Sequence, residues 1–304
     1  MLRPPSALTT GTTSRRIVFL TLGRGSGDLV TGLALAEGFR RAGVDVEFTI
    51  LSDNAFGHLA EGIAEFIRVP AEPHLFLVAD HRTRIYRELE RLNPDLFIVF
   101  GSWVPVLPYI HELSCRTVLL MRQVNPPFLR LTLPDGQEVP INPEDYDLAL
   151  TCEPNFILPG FQEINPIVIR NPDELLPDAV ARARLGVPDG LRNCVIARNG
   201  YEGELEDLLA RHGGREGWHL TVLTNKSGRG VFPLAEYAAG IDFLISGGGY
   251  ATFYETRYLR IPADLEPFER NAEDIAWRLE TNATYSFREN GADQFVRLVE
   301  PLLA

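Results

Sequence analysis

The chain has 304 residues, 45% of them hydrophobic and 23% charged, an ordinary balance for a soluble globular protein. At roughly 150 residues per domain this length predicts two domains, each with enough chain to bury a core. The net charge of −12 argues against nucleic acid or an anionic membrane as main partner. A local phosphate site stays open, because charges are screened beyond about 8 Å at physiological salt. Cys115, Cys152 and Cys194 are far apart and odd in number, so neither a zinc site nor a disulfide framework is expected. That usage fits a cytoplasmic setting. The six histidines are scattered singly, so no metal is expected. No run of 18 apolar residues predicts a transmembrane helix.

In chain order, residues 1–14 are rich in Pro, Thr and Ser and read as a flexible tail. Arg16 to Leu22 is a buried-strand candidate, followed by the turn GRGSGD, a helix over 29–42 closed by Gly43, and a strand over 44–51. This is one β-α-β unit of a parallel sheet. A charged amphipathic helix is predicted over 81–93, with strands over 95–100, 117–121, 147–151 and 166–169. The Pro-rich stretch 125–145 predicts a long loop or a hairpin turning at Pro134, Asp135 and Gly136. The linker is placed at 173–192, between a first domain over 15–172 and a second over 193–304. The second domain predicts strands over 193–197 and 218–223, helices over 204–212 and 234–239, and two C-terminal helices over 269–280 and 292–303. The last of these is free to pack back on the first domain. The sum is an α/β protein of two doubly wound, Rossmann-like domains facing across a cleft, where ligands sit beyond the carboxyl ends of the strands.

Ile241 to Glu255 (IDFLISGGGYATFYE) is the most informative stretch. Strand, glycine turn and helix point free backbone N–H groups at one spot, with the helix dipole behind them, and phosphate is the natural guest. The plainer reading is a turn that lets a helix pack closely on a sheet. GRGSGD resembles the dinucleotide fingerprint, with Asp53 as the acid after the second strand, but Asp28 stands where its last glycine belongs. Asp28 suits either a general base or a helix N-cap. In RNGYEG (198–203) and the following residue, Glu202 and Glu204 would repel a diphosphate if they faced it. TNKSGRG offers Lys226 and Arg229 as a site wall or as a solvated loop.

Taken together, these stretches resemble GT-B glycosyltransferases, in particular the MurG-like UDP-N-acetylglucosamine transferases and their hydrolase relatives. GSGDLVTGLALAEGFRRAG, PDLFIVFGSW with TVLLMRQVN, VIRNP, SGGGYATFYE and RNAEDIA are similar to family segments and stand in the family's order. The resemblance implies that Gly248, Gly249 and Thr252 hold the donor pyrophosphate and Glu255 the ribose hydroxyls. It sets Asn271 near the donor sugar and Trp103, Gln123 and Asn125 on the acceptor side. Asp28 falls where the family has a histidine and inherits the base role. The implied reaction is inverting, metal-independent transfer from a UDP-sugar to an acceptor hydroxyl, without a cofactor. The partners are then the nucleotide sugar and an unidentified acceptor, with oligomeric state open. A hydrolase or a non-catalytic binding protein of the same fold is the alternative. The family's glycine–serine loop is replaced by RNGYEG, and the chain is short for this fold.

Overall fold

The computed structural model describes residues 14–23, 25–70, 83–133, 135–214, 217–226 and 230–303. The tail read over 1–14 lies outside these residues except for Ser14, as do Arg229, Pro134 and the start of the helix expected from His81.

In the first domain, β1 (Arg15–Thr21), β2 (Val46–Ser52), β3 (Glu65–Arg68), β4 (Leu96–Phe100) and β5 (Arg116–Met121) alternate with α1 (Ser26–Ala42) and α2 (Arg84–Leu92). A hairpin of β6 (Arg130–Thr132) and β7 (Glu138–Pro140) follows, then β8 (Leu148–Thr151) and β9 (Gln162–Glu163). The main sheet runs β3-β2-β1-β4-β5-β8-β9, every pair parallel. Its inner strands are continuous apolar runs, as a sheet covered on both faces requires; all five residues of β4 are buried. Gly43 ends α1 in the left-handed region at φ 70°, where its N–H bonds back to Arg40.

The stretch read as linker contains α3 (Asp178–Arg184). The second domain has β10 (Arg192–Ala197), α4 (Glu204–His212), β11 (Trp218–Leu223), a 3-10 turn over Leu234–Gly240, β12 (Phe243–Gly247), α5 (Tyr250–Tyr258) and β13 (Ala263–Glu266). These strands form a parallel sheet in the order β11-β10-β12-β13. The chain then runs through α6 (Ile275–Thr281) to α7 (Gly291–Val299), which lies on α1 of the first domain. Gly38 permits that approach, since a Cβ there would meet the Ala292 carbonyl oxygen at 3.1 Å. Tyr250, Phe253 and Tyr254 of α5 and Phe295 and Val299 of α7 share one apolar core with Leu33 and Phe39 of α1.

Four sequence expectations are corrected. Residues 166–169 are buried but form no strand. Val168 exchanges hydrogen bonds with the Asn290 side chain, and the Ile167 N–H donates to Tyr250 Oη, so side chains replace a ladder partner. The helix expected over 269–280 is confined to Ile275–Thr281, because Asp274 caps it by accepting from the Trp277 N–H. Residues 263–266, where no element is expected from the sequence, add the edge strand β13. β3 was not anticipated; its four residues alternate weakly and are only half-buried.

Candidate functional site

Both sheets reverse strand order beside their first strand, and the loops leaving those switch points line one cleft of about 750 Å³. From the first domain come the loop after β1 and the start of α1, with Phe56, His58 and Arg122. From the second come residues 198–202 after β10, 224–226 after β11, Gly249 to Thr252 and Glu255 on α5, and 270–273 before α6. A groove of about 630 Å³ at the opposite ends of the first sheet is a weaker candidate. Its charges pair with each other, as Arg116 does with Asp147 at 2.9 Å.

The loop after β1 is held from β2. Asp53 Oδ1 accepts from the Gly23 N–H at 2.8 Å, and Asn54 Nδ2 donates to the carbonyls of Gly23 and Gly25. Asp53 is thus engaged in holding the turn, which takes away the ribose acceptor that the dinucleotide fingerprint requires. Asp28 sits in the first turn of α1 and does not cap it. Its Oδ1 accepts from Arg122 Nη2 at 2.9 Å and Nε at 3.1 Å. Its Oδ2 lies where a Gly23 Cβ would come within 2.6 Å and accepts no hydrogen bond among the described residues.

The three glycines before α5 have three different reasons. A Cβ at Gly247 would collide with the Arg198 guanidinium, and one at Gly248 would meet Leu279 Cδ2 at 2.8 Å. The Gly248 N–H donates to the Glu266 carbonyl at 2.9 Å. Gly248 is therefore a packing glycine whose amide is already engaged, which corrects its expected role on the pyrophosphate. Only Gly249 faces open space; it heads α5, a helix with no side-chain cap, and lines the cleft with Thr252.

Beneath the cleft a chain of buried charges crosses between the domains. Arg122 Nη1 bonds Glu273 at 2.7 Å, Arg278 Nη1 bonds Glu273 at 2.8 Å, and Arg278 pairs through Nε and Nη2 with Glu153. Glu153 also accepts from the Gln123 N–H and from Tyr254 Oη. Burial alone pushes both guanidiniums down, but the carboxylates outweigh it and hold both well above the usual range: Asp28 and Glu273 foremost at Arg122, Glu153 and Glu273 at Arg278. Burial pushes Glu273 up, yet Arg122 and Arg278 outweigh it and hold its carboxyl at about 2.

The structure brings Asp28, Gly249, Thr252, Glu255 and Asn271 onto the cleft. The expected acceptor residues are turned elsewhere. Trp103 is 2% exposed in the core, its Nε1 donating to the Phe128 carbonyl. Gln123 Oε1 accepts from the Asp274 N–H, and Asn125 bonds the carbonyls of Asn271 and Ala272. These two residues zip the domains together. Sequence reading missed Arg122, Glu153, Arg198, Arg270, Glu273 and Arg278. The one available signal was a charged residue directly after an apolar strand, as in TVLLMR and LALTCE.

No protein-family model and no curated protein matches the chain. Solved structures do, at low identity. SsfS6, a glycosyltransferase of Streptomyces sp. SF2575 complexed with thymidine diphosphate, is 15% identical with a TM-score of 0.61, over 95% of this chain and 100% of that one. The spinosyn forosaminyltransferase SpnP is 16% identical with a TM-score of 0.59, over 96% and 92%. The spinosyn rhamnosyltransferase SpnG complexed with spinosyn aglycone is 14% identical with a TM-score of 0.55, over 94% and 91%. The chain has the GT-B glycosyltransferase fold, two Rossmann-like domains across a cleft.

Proposed function

We propose that the chain transfers a glycosyl group from a nucleoside diphosphate sugar to an acceptor hydroxyl, with inversion and without a metal, UDP being the donor nucleotide. The observation that carries this reading is the uncapped head of α5, open at Gly249, in one cleft with Asp28 of the other domain. The acceptor oxygen attacks the anomeric carbon as the bond from that carbon to the diphosphate oxygen breaks. The diphosphate leaves with the electron pair, its growing charge stabilised by the Gly249 and Thr252 amides and the α5 dipole. Asp28 Oδ2 takes the acceptor proton, while Arg122 fixes the other oxygen. Glu255, on the cleft wall without an ion-pair partner among the described residues, accepts from the ribose hydroxyls. Asn271 faces the donor sugar.

The neighbouring folds support a nucleotide donor: thymidine diphosphate is bound to SsfS6, and an aglycone to SpnG. Isothermal titration with UDP and with thymidine diphosphate tests the reading. A tight site raises the melting temperature with ligand excess, by about 2.7 kcal/mol at a hundredfold excess over Kd. No heat and no melting shift with either nucleotide would remove the proposal. The engagement of Trp103, Gln123 and Asn125 elsewhere favours one further reading, water as acceptor. Free sugar released from UDP-sugars without added acceptor, at the rate of nucleotide release, would establish it.

A further inference from the structure

On the second domain's wall two cations share one anion. Arg198, just after β10, reaches Glu204 Oε2 with Nε at 2.8 Å and Nη2 at 2.7 Å. Arg270 Nη2 reaches Glu204 Oε1 at 2.7 Å. Both guanidiniums line the cleft, with side chains 11% and 14% exposed, and Glu204 is buried behind them. Aromatic faces hold each in place: Arg198 lies 4.8 Å over the Phe268 ring and Arg270 4.3 Å over Tyr201. Burial pushes Arg198 below the usual guanidinium range; Glu204 opposes this and the neighbouring Arg270 charge adds to it. Glu273, whose charge also acts on both arginines, is bonded to Arg122 and Arg278 instead. Two largely desolvated cations with one counter-ion are therefore short of negative charge, on a surface that a solute can reach. The site is also close to α5. The Arg198 guanidinium packs against Gly247, whose Cα is at most about 7.6 Å from that of Gly249 at the helix head.

We infer that Arg198 and Arg270 are the counter-ions of the donor's diphosphate, completing with the α5 head a site that selects nucleoside diphosphates over monophosphates. In RNGYEG and the residue after it, Glu204 is buried behind the two arginines it orients, which leaves the exposed Glu202 as the loop's one acid on the cleft and frees the loop to take a phosphate between them. The inference deepens the donor reading above and rests on it.

The test is isothermal titration of UDP and UMP into the full chain and its variants, with thermal melts alongside. Arg270→Met is expected to weaken UDP by about tenfold or more, the loss of one charge-assisted bond, and to leave UMP within about twofold. Arg270→Lys restores part of the loss. Glu204→Gln is expected to act in the opposite direction, tightening UDP, because it removes the competing anion while keeping an oxygen acceptor for the Tyr201 N–H. Equal loss of UDP and UMP in Arg270→Met, no loss of UDP, or weaker UDP binding in Glu204→Gln would each overturn the assignment. If the wild-type chain binds no nucleotide, the donor reading fails, and inorganic pyrophosphate becomes the probe of the arginine pair. Pyrophosphate binding that disappears in Arg270→Met supports the pair as an anion site, and no pyrophosphate binding removes it.

Discussion

The floor of the cleft and its second-domain wall use the same two chemistries, guanidinium and carboxylate, in opposite proportion. On the floor Arg122 and Arg278 stand among Asp28, Glu153 and Glu273, two cations to three anions. On the wall Arg198 and Arg270 share Glu204 alone. The floor joins residues of both domains and runs from Asp28, Arg122 and Glu273 on the cleft back to Arg278 and Glu153, both fully buried. The wall belongs to one domain and opens on the cleft. A network in which each guanidinium is shared between two carboxylates fixes one arrangement of the parts it joins. Two cations that share one bonded carboxylate on a surface open to solute have room for a further anion. The same residue types therefore serve assembly in one place and recognition a short distance away, and the count of opposing charges decides which.

The largest effect that would break this comparison comes from the floor. Arg278→Met leaves Glu153 and Glu273 buried without their shared cation and is expected to cost about 3–5 kcal/mol of stability. Urea unfolding at pH 7 measures it, and a cost below about 1 kcal/mol would put floor and wall in the same class. Next comes acid. The Glu273 carboxyl is held at about 2, below its unfolded value of roughly 4.3. Its contribution is thus fully present above the unfolded value and is lost as pH falls from about 4.3 through 2, at most about 2–3 kcal/mol. Unfolding curves from pH 7 to 3 should show this limb, and Glu273→Gln should flatten it. A smaller effect belongs to Tyr250, whose hydroxyl accepts from the Ile167 N–H and donates to the Cys152 carbonyl across the domain boundary. Tyr250→Phe orphans both groups and should cost about 1–3 kcal/mol, leaving UDP affinity unchanged.

Much of the fold was legible because parallel strands covered on both faces are short apolar runs that composition alone reveals, as LFIVF and TVLLM do. The short edge elements β3 and β13 were not, since an edge strand of four half-buried residues has no such run. In the site, Asp28, Gly249, Thr252 and Glu255 were legible from loop position, because a strand-to-helix turn fixes where its first residues point. Gly248 was misread because a glycine's sequence signature is the same whether it admits a ligand or a leucine; only Leu279 and the Glu266 carbonyl distinguish the two. Gln123 and Asn125 are polar residues after a strand, and nothing local says that their partners lie some 150 positions away at 271–274. The arginine networks were hidden for the same reason. Charge balance is a property of tertiary neighbours, and RNGYEG with the Glu204 that follows it shows two acids and conceals that Arg270 comes to meet the second.

The smallest expected effect sharpens the comparison from the other sign of charge. Glu255 lines the same wall as the arginine pair, and its carboxyl has no hydrogen-bond or ion-pair partner among the described residues. Burial pushes it up to about 8, with Arg170 opposing. A carboxyl raised in the folded state leaves stability intact below its unfolded value of roughly 4.3, and stability then declines as pH rises from there through about 8. Glu255→Gln removes that decline and should make the empty chain more stable at pH 8. The full shift would be worth about 5 kcal/mol, and the side chain's partial exposure to the cleft screens this to on the order of 1 kcal/mol. The same change should weaken UDP and narrow its advantage over 2′-deoxy-UDP, because an amide gives sugar hydroxyls one acceptor oxygen where the carboxylate gives two. Stability at pH 8 and ribose affinity thus move in opposite directions, as they must for a group whose partner arrives with the ligand. A variant less stable than wild type at pH 8 would mean that Glu255 is held by the protein itself, and the wall would lose its second unpartnered group.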